Sequence, residues 1–251
     1  MPVRLRMIRG SRHRSRPARR GMNRRNAGVT QAGFTIIELM IVVAIIAVLA
    51  AIAVPNLLSA RLNANETATV ATLRTITTAQ SQFQRAGYAD ENNDGVGEYA
   101  TFGELGAAVV VRGTTRYSSS ILSGSLADVG ATGEAGRSGY VYRMYLPQAG
   151  GVGLQELAGG GITPGVLDPV LASVSWCAYS YPENYGATGH RTFFVNQQCE
   201  LTGTIDPRYH TKGCPDVQAG AALRVGDILH ITGSISVGTR GADGNLWKAV
   251  Q

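Results

Sequence analysis

The chain has 251 residues and a mass of 26.5 kDa, room for one domain of ordinary size plus an extension rather than two full domains. Its 32 glycines follow no three-residue period, which excludes a collagen-like rod, and a hydrophobic content of 44% excludes disorder throughout. Charged residues are only 16%, against roughly 25% in soluble proteins at large, a shortage familiar in secreted and cell-surface chains.

The formal charge of +6 is unevenly placed. Ten arginines between Arg4 and Arg25, with no acid among them, lie in the first 33 residues; from Phe34 onward 13 basic residues face 17 acidic ones. A basic stretch directly before a long apolar run sets membrane orientation by keeping its own side cytoplasmic, so the charge does not imply nucleic acid.

That apolar run decides the class. Leu39 to Val54 is 16 consecutive apolar residues, and Phe34, Ile36 and Ile37 extend it to 21 with only Thr35 and Glu38 polar. At about 1.5 Å per residue such a helix crosses the ~30 Å hydrocarbon layer once. A cleaved secretory signal is the competing reading, with Ala51 and Ala53 as its small-residue site, but a disposable signal has no reason to carry Glu38. A carboxylate at that depth costs about 2.5 to 3.5 kcal/mol and is ordinarily paired. The segment holds no Lys or Arg. Cleavage after Gly33 would create an ammonium at Phe34, one helical turn from Glu38.

The stretch Gly33-Phe34-Thr35-Ile36-Ile37-Glu38-Leu39-Met40, continuing through Ile41 to Pro55, resembles the N-terminus of type IV pilins and type II secretion pseudopilins. The resemblance covers residues 28 to 86. It implies that a prepilin peptidase cuts between Gly33 and Phe34 at the cytoplasmic face and that Phe34 is then N-methylated. It also implies that Glu38 is the family's assembly glutamate, and that Pro55 bends or locally melts the helix in filaments. A leader of 33 residues is long for this family; a start at Met22 would leave twelve, with Arg24 and Arg25 as its charges.

Past Pro55, Leu62, Val70, Leu73, Ile76 and Phe83 recur near helical spacing, predicting that the helix resumes and reaches Gly87 with one apolar side under a globular head. The expected organisation is a leader over 1–33, a long helix over 34–86 and a β-rich head over 87–251. Fifteen of the 17 aromatic residues lie beyond Gly87. Five runs are read as strands: Ala108 to Val111, Tyr140 to Leu146, Ser175 to Tyr181, Arg191 to Gln197, and Ile228 to Ile231. No helix-length periodicity stands between them, so the fold class is α+β, an antiparallel sheet laid against the long helix. Residues 124 to 165, with twelve glycines, are read as a loop-rich insertion.

Cys177, Cys199 and Cys214 all fall in the head, where an extracytoplasmic setting permits disulfides. Their spacing fits no zinc pattern and does not fix connectivity. By the resemblance, Cys199 with Cys214 would close a loop near the C-terminus; Cys177 with Cys199, and no bridge at all, are the alternatives. Asp90, Asn92, Asp94 and Glu98 place oxygen ligands at alternate positions, as the first half of a calcium loop does, so calcium is a candidate cofactor beside the alternative of none, since acidic, Asn- and Gly-rich turns without metal are common. Thr101 stands where a twelve-residue loop needs its closing acid, which excludes an EF-hand. Asp243 with Gly244 and Asn245 is a shorter second candidate.

Catalysis finds no local motif. His13, His190, His210 and His230 sit apart, and neither a nucleophile elbow nor a phosphate-cradling loop occurs. The expectation is a non-enzymatic structural subunit, held single-pass in the inner membrane with its N-terminus cytoplasmic and its head outside. It would then polymerise with itself and other pilin-like subunits after meeting the prepilin peptidase/methyltransferase and an inner-membrane assembly platform, with no nucleic acid required. Two alternatives stand beside a pilus: a type II secretion pseudopilus, and a membrane-anchored binding module that never polymerises.

Overall fold

The computed structural model of the protein describes residues 33–224 and 227–250. The basic leader and Met22 lie outside the described residues. Two compact units divide between Val48 and Leu49. The first holds the opening turns of helix α1 (Ile36–Ala86), every residue of it exposed. The second holds the rest of α1 and the whole head.

The sequence reasons for α1 are legible along its length. Straight-chain and apolar residues fill it, Thr35 precedes it, and it keeps helical geometry through Pro55. Proline removes one donor, and Ser59 Oγ donates to the Pro55 carbonyl at 3.2 Å one turn on. In the second unit Leu62, Thr69, Leu73, Ile76, Gln80 and Phe83 are buried at spacings of three, four and seven, the amphipathic face anticipated from the sequence. In the threonine-rich turns Thr67, Thr72, Thr75, Thr77 and Thr78 each donate their hydroxyl to the carbonyl four residues back, which satisfies the hydroxyls within the helix. Gly87 ends the helix at φ +61°, a conformation glycine adopts without steric cost, and its N–H returns to Gln84 O at 3.0 Å.

The head opens with short helices α2 (Phe102–Leu105) and α3 (Gly124–Ala127), followed by strands β1 (Ala135–Arg137), β2 (Tyr140–Pro147) and β3 (Gly153–Gln155). Next come α4 (Pro169–Ala172), β4 (Cys177–Pro182), β5 (Arg191–Asn196) and β6 (Leu201–Ile205). The chain finishes with β7 (Leu223–Arg224), β8 (Ser234–Ile235), β9 (Thr239–Arg240) and β10 (Leu246–Ala249). One sheet runs in the order β1-β2-β4-β5-β6-β10-β9, with β3 also on β2, while β7 and β8 form a separate pair. Every named strand pairing is antiparallel, so the α+β expectation holds.

Period-two alternation divides the sheet's side chains between two cores. Tyr140, Tyr142, Met144, Phe193 and Val195 join Leu73, Ile76 and Phe83 of α1. Val141, Tyr145, Cys177, Tyr179, Tyr181 and Phe194 turn to the other face, packed with Tyr209, Val217, Leu223, Ile231 and Trp247. Gln80 ties helix to loop as a backbone group would, donating to Ala100 O at 2.7 Å and accepting from Ala100 N at 2.9 Å.

Three of the five strands read from the sequence form. Ala108–Val111 does not: those residues make turns, because Ala108 and Val109 N–H close back onto Gly103 O. Ile228–Ile231 contributes only an isolated bridge, Val152 to His230. The glycine-rich stretch 124–165 contains β1, β2 and β3 and is integral to the sheet, its glycines sitting at turns and close approaches. At Gly133, φ +72°, a Cβ would lie 2.0 Å from Glu156 O.

Candidate functional site: the exposed N-terminal segment and its cap

Gly33, Phe34 and Thr35 precede the helix and are exposed, Phe34 at 87%. A Cβ on Gly33 would meet nothing within 4 Å. The Gly33–Phe34 peptide bond is therefore non-helical and accessible in this conformation. One residue further on the chain is fixed. Thr35 N donates to Glu38 Oε2 at 2.9 Å and Thr35 Oγ1 donates to the same oxygen at 2.8 Å. In return Glu38 N donates to Thr35 Oγ1 at 3.2 Å, and Leu39 N closes the first helical bond to Thr35 O at 3.2 Å. This is a capping box with Thr35 as N-cap and Glu38 three residues in. The Thr-x-x-Glu spacing is a capping signature in the sequence, and the structure adds this role for Thr35 to the charge pairing expected of Glu38. Gly33 and Phe34 lie just before α1 and Glu38 in its first turn; Pro55 lies further along the same helix.

After this cap, α1 supplies a stretch long and apolar enough to cross a membrane, with none of that stretch buried. Phe34, Ile36, Ile37, Leu39 and Met40 are each more than half exposed, so the face awaits lipid or protein.

The proposed calcium set is divided. Asp90, Asn92 and Asp94 share one turn: Asp94 N and Gly95 N donate to Asp90 at 3.1 and 3.0 Å, Val96 N donates to Asp94 at 2.7 Å, and Asn92 Nδ2 donates to Asp94 at 2.7 Å. Glu98 is not with them. It is fully buried, accepts from Glu91 N at 2.8 Å and pairs with Arg112 at 3.0 Å. The four-ligand set is thus corrected: an arginine, invisible to spacing arguments, claims its closing acid. Among the described residues no group of three or more His, Cys, Asp or Glu is arranged to hold a metal. Asp243, in the second candidate, accepts from Tyr209 OH at 2.5 Å, Asn245 N at 2.9 Å and Trp247 Nε1 at 3.2 Å, which uses its lone pairs to hold the C-terminal loop.

Of the alternatives for the cysteines, the structure forms neither bridge. Cys177, Cys199 and Cys214 are free thiols. Cys199 is exposed at the β5–β6 turn with φ +61°, whereas Cys177 and Cys214 are buried in the core of the opposite face. Burial alone pushes the Cys177 thiol well above its ordinary range. The segment around Cys214 is anchored instead by Arg143, which donates to Cys214 O at 2.8 Å and Val217 O at 2.6 Å and pairs with the buried Glu134.

Two further buried acids organise the loops after α1. Arg112 meets Glu98 and, at 2.6 Å, Glu104, whose carboxylate also closes a capping box at Thr101. Glu156 receives Phe102 N at 3.0 Å and both Gly103 N and Gly161 N at 2.8 Å. Burial outweighs these three donors and pushes Glu156 up to about 7.

The structure thus joins a long helix with an exposed apolar first half, a capped and accessible N-terminal junction, and a second half built into an antiparallel head. Comparison with known proteins places the segment. The prokaryotic N-terminal methylation motif matches residues 24–54. The chain is 54% identical over 52 residues to the type IV wide pilus major component PilA4 of Thermus thermophilus, covering 21% of this chain and 40% of that protein. It is 44% identical over 64 residues to the type IV major pilin protein PilA of Myxococcus xanthus, covering 25% and 29% respectively. The likeness to these type IV pilins thus lies in the N-terminal segment. The chain thus spans well under half the length of these relatives, and no solved structure matches it significantly.

Proposed function

We propose that the protein is a structural subunit of a type IV pilus-like filament. It is made as a precursor, cut between Gly33 and Phe34 by a prepilin peptidase, and N-methylated on Phe34. Before assembly it sits single-pass in the inner membrane, its N-terminus cytoplasmic and its head on the far side. It leaves the bilayer by packing its apolar helix against those of neighbouring copies. Its role is assembly rather than catalysis. The observation carrying this reading is the accessible Gly33–Phe34 bond placed directly before a capped apolar helix that nothing among the described residues covers. Both matched relatives are major pilins, which favours a pilus over a secretion pseudopilus.

The test is intact-mass analysis of the membrane and sheared-surface fractions with electron microscopy of the latter. The expected mature chain starts at a methylated Phe34 and is recovered in filaments. A mature N-terminus at Ala51 or beyond would show ordinary signal cleavage, and a mature protein confined to the membrane as monomers would refute polymerisation.

A further inference from the structure

The head carries two complementary surfaces that cannot meet within one copy. On the α1-facing side of the sheet, beyond the helix, β5, β6 and β10 form a groove of about 250 Å³ lined by Arg191, Ile205, Leu246 and Lys248. Ile205 is 64% and Leu246 45% exposed, an apolar floor without a cover. Neither the Arg191 guanidinium nor the Lys248 ammonium has an ion-pair or hydrogen-bond acceptor among the described residues; the Arg191 guanidinium lies 5.1 Å from the Phe193 ring centroid. Glu66 stands nearby on α1, but its Oε1 is engaged by His190 N and Arg191 N at 3.1 and 3.3 Å.

The opposite chemistry is concentrated in the turn after α1. Asp90 and Asp94 hold their carboxylates on it, and Val96 is 50% exposed directly beside them. The turn is preshaped by the bonds from Asp94, Gly95 and Val96 N–H to those carboxylates, so docking it requires little ordering. It lies at the end of α1, since a Cβ on Gly97 would strike Gln84 O. The groove lies beside Glu66, 18 residues earlier on the helix and so about 27 Å away along its axis.

We infer that the Asp90–Val96 turn of one subunit docks into the Arg191–Lys248 groove of a second copy, its carboxylates meeting the two cations and Val96 covering Ile205 and Leu246. Two different patches at separated positions make a head-to-tail contact, which propagates instead of closing as a two-fold dimer does. Charge would guide the encounter and fix the register, and the apolar contact would hold it. This contact rests on the filament reading and gives it a head-side register that α1 alone does not supply.

The test is oxidation of full-length protein in its cells, carrying Val96→Cys with Leu246→Cys in a Cys199→Ser background. The expected product is a ladder of dimer, trimer and higher species that needs both new thiols, and Lys248→Glu should lower the filament fraction several-fold while Lys248→Arg does not. Wild-type filaments with no ladder, or a product stopping at dimer, would overturn this contact and leave the filament reading standing. A ladder in protein that never leaves the membrane as filaments would keep the contact and overturn that reading.

Discussion

Thr35 and Glu38 hold each other reciprocally at the start of α1: the threonine amide and hydroxyl both bind one carboxylate oxygen, and the glutamate amide binds the hydroxyl in return. The carboxylate therefore rests one residue from the nitrogen that cleavage would turn into an ammonium. Two functions can be assigned to one side chain, a helix cap and a charge partner, and they make different demands. The cap needs an oxygen acceptor; the pairing needs a negative charge.

Glu38→Gln separates them, because the amide keeps an acceptor for Thr35 and loses the charge. We expect Glu38→Gln to assemble as poorly as Glu38→Ala, since an ammonium from Phe34 of a neighbouring copy would be left unpaired among apolar helices. Thr35→Ala should be milder, costing the cap about 1 kcal/mol. The ratio of filament to membrane-resident mature protein in the three variants decides it, and a glutamine variant that assembles like wild type would reduce Glu38 to a cap.

Much of α1 was legible in the sequence because a 51-residue helix repeats its signal: the apolar run, the spacing of Leu73, Ile76 and Phe83, and Gly87 at its end. The central strands were legible for the same reason, since β2, β4 and β5 carry six or more residues each. The shorter β1, β3 and β7 to β10 have too few residues to alternate visibly. What no local pattern revealed is the pairing of buried charges across the fold. By spacing alone Glu98 resembles a metal ligand, but its carboxylate pairs with Arg112, 14 residues on. Likewise Arg143 does for the C-terminal loop what a disulfide was expected to do, through contacts 71 and 74 residues away.

That substitution of an ion for a covalent bond makes Arg143 a sensitive position. Arg143→Met removes the partner of the buried Glu134 and two carbonyl contacts at once, so we expect a loss of about 3 to 5 kcal/mol, the range for a broken buried pair. Thermal unfolding of the detergent-solubilised full chain is the readout. A variant within 1 kcal/mol of wild type, on the order of an ordinary surface change, would show that the loop is held by its apolar contacts with Tyr181 and Trp247 instead.

The thiols give a second, independent check on the same loop. In the folded protein one thiol, Cys199, should react with an aromatic disulfide reagent, and three should react after denaturation without reductant. Recovering a single reactive thiol in denaturant would mean that two of the three are bridged.

Acidity should strengthen the head, and Glu156 is the reason. Its carboxyl, ordinarily near 4.5, is pushed up to about 7 by burial against the three backbone donors. Glu98 is also raised, chiefly by burial and against its Glu91 and Arg112 contacts. An acid whose folded value is raised binds its proton more tightly when folded, so its stabilising contribution is complete below about pH 4.5 and is lost as pH rises through about 7. For Glu156 the full change is on the order of 3 kcal/mol. Wild-type protein should therefore unfold at a lower temperature at pH 8 than at pH 5.5. Glu156→Gln cannot ionise and should flatten most of that slope, though its amide NH₂ faces donors and lowers stability at every pH. An unchanged slope in Glu156→Gln would assign the pH dependence to Glu98 and the Arg112 cluster, and a wild-type stability that rises with pH would contradict the raised carboxyl altogether.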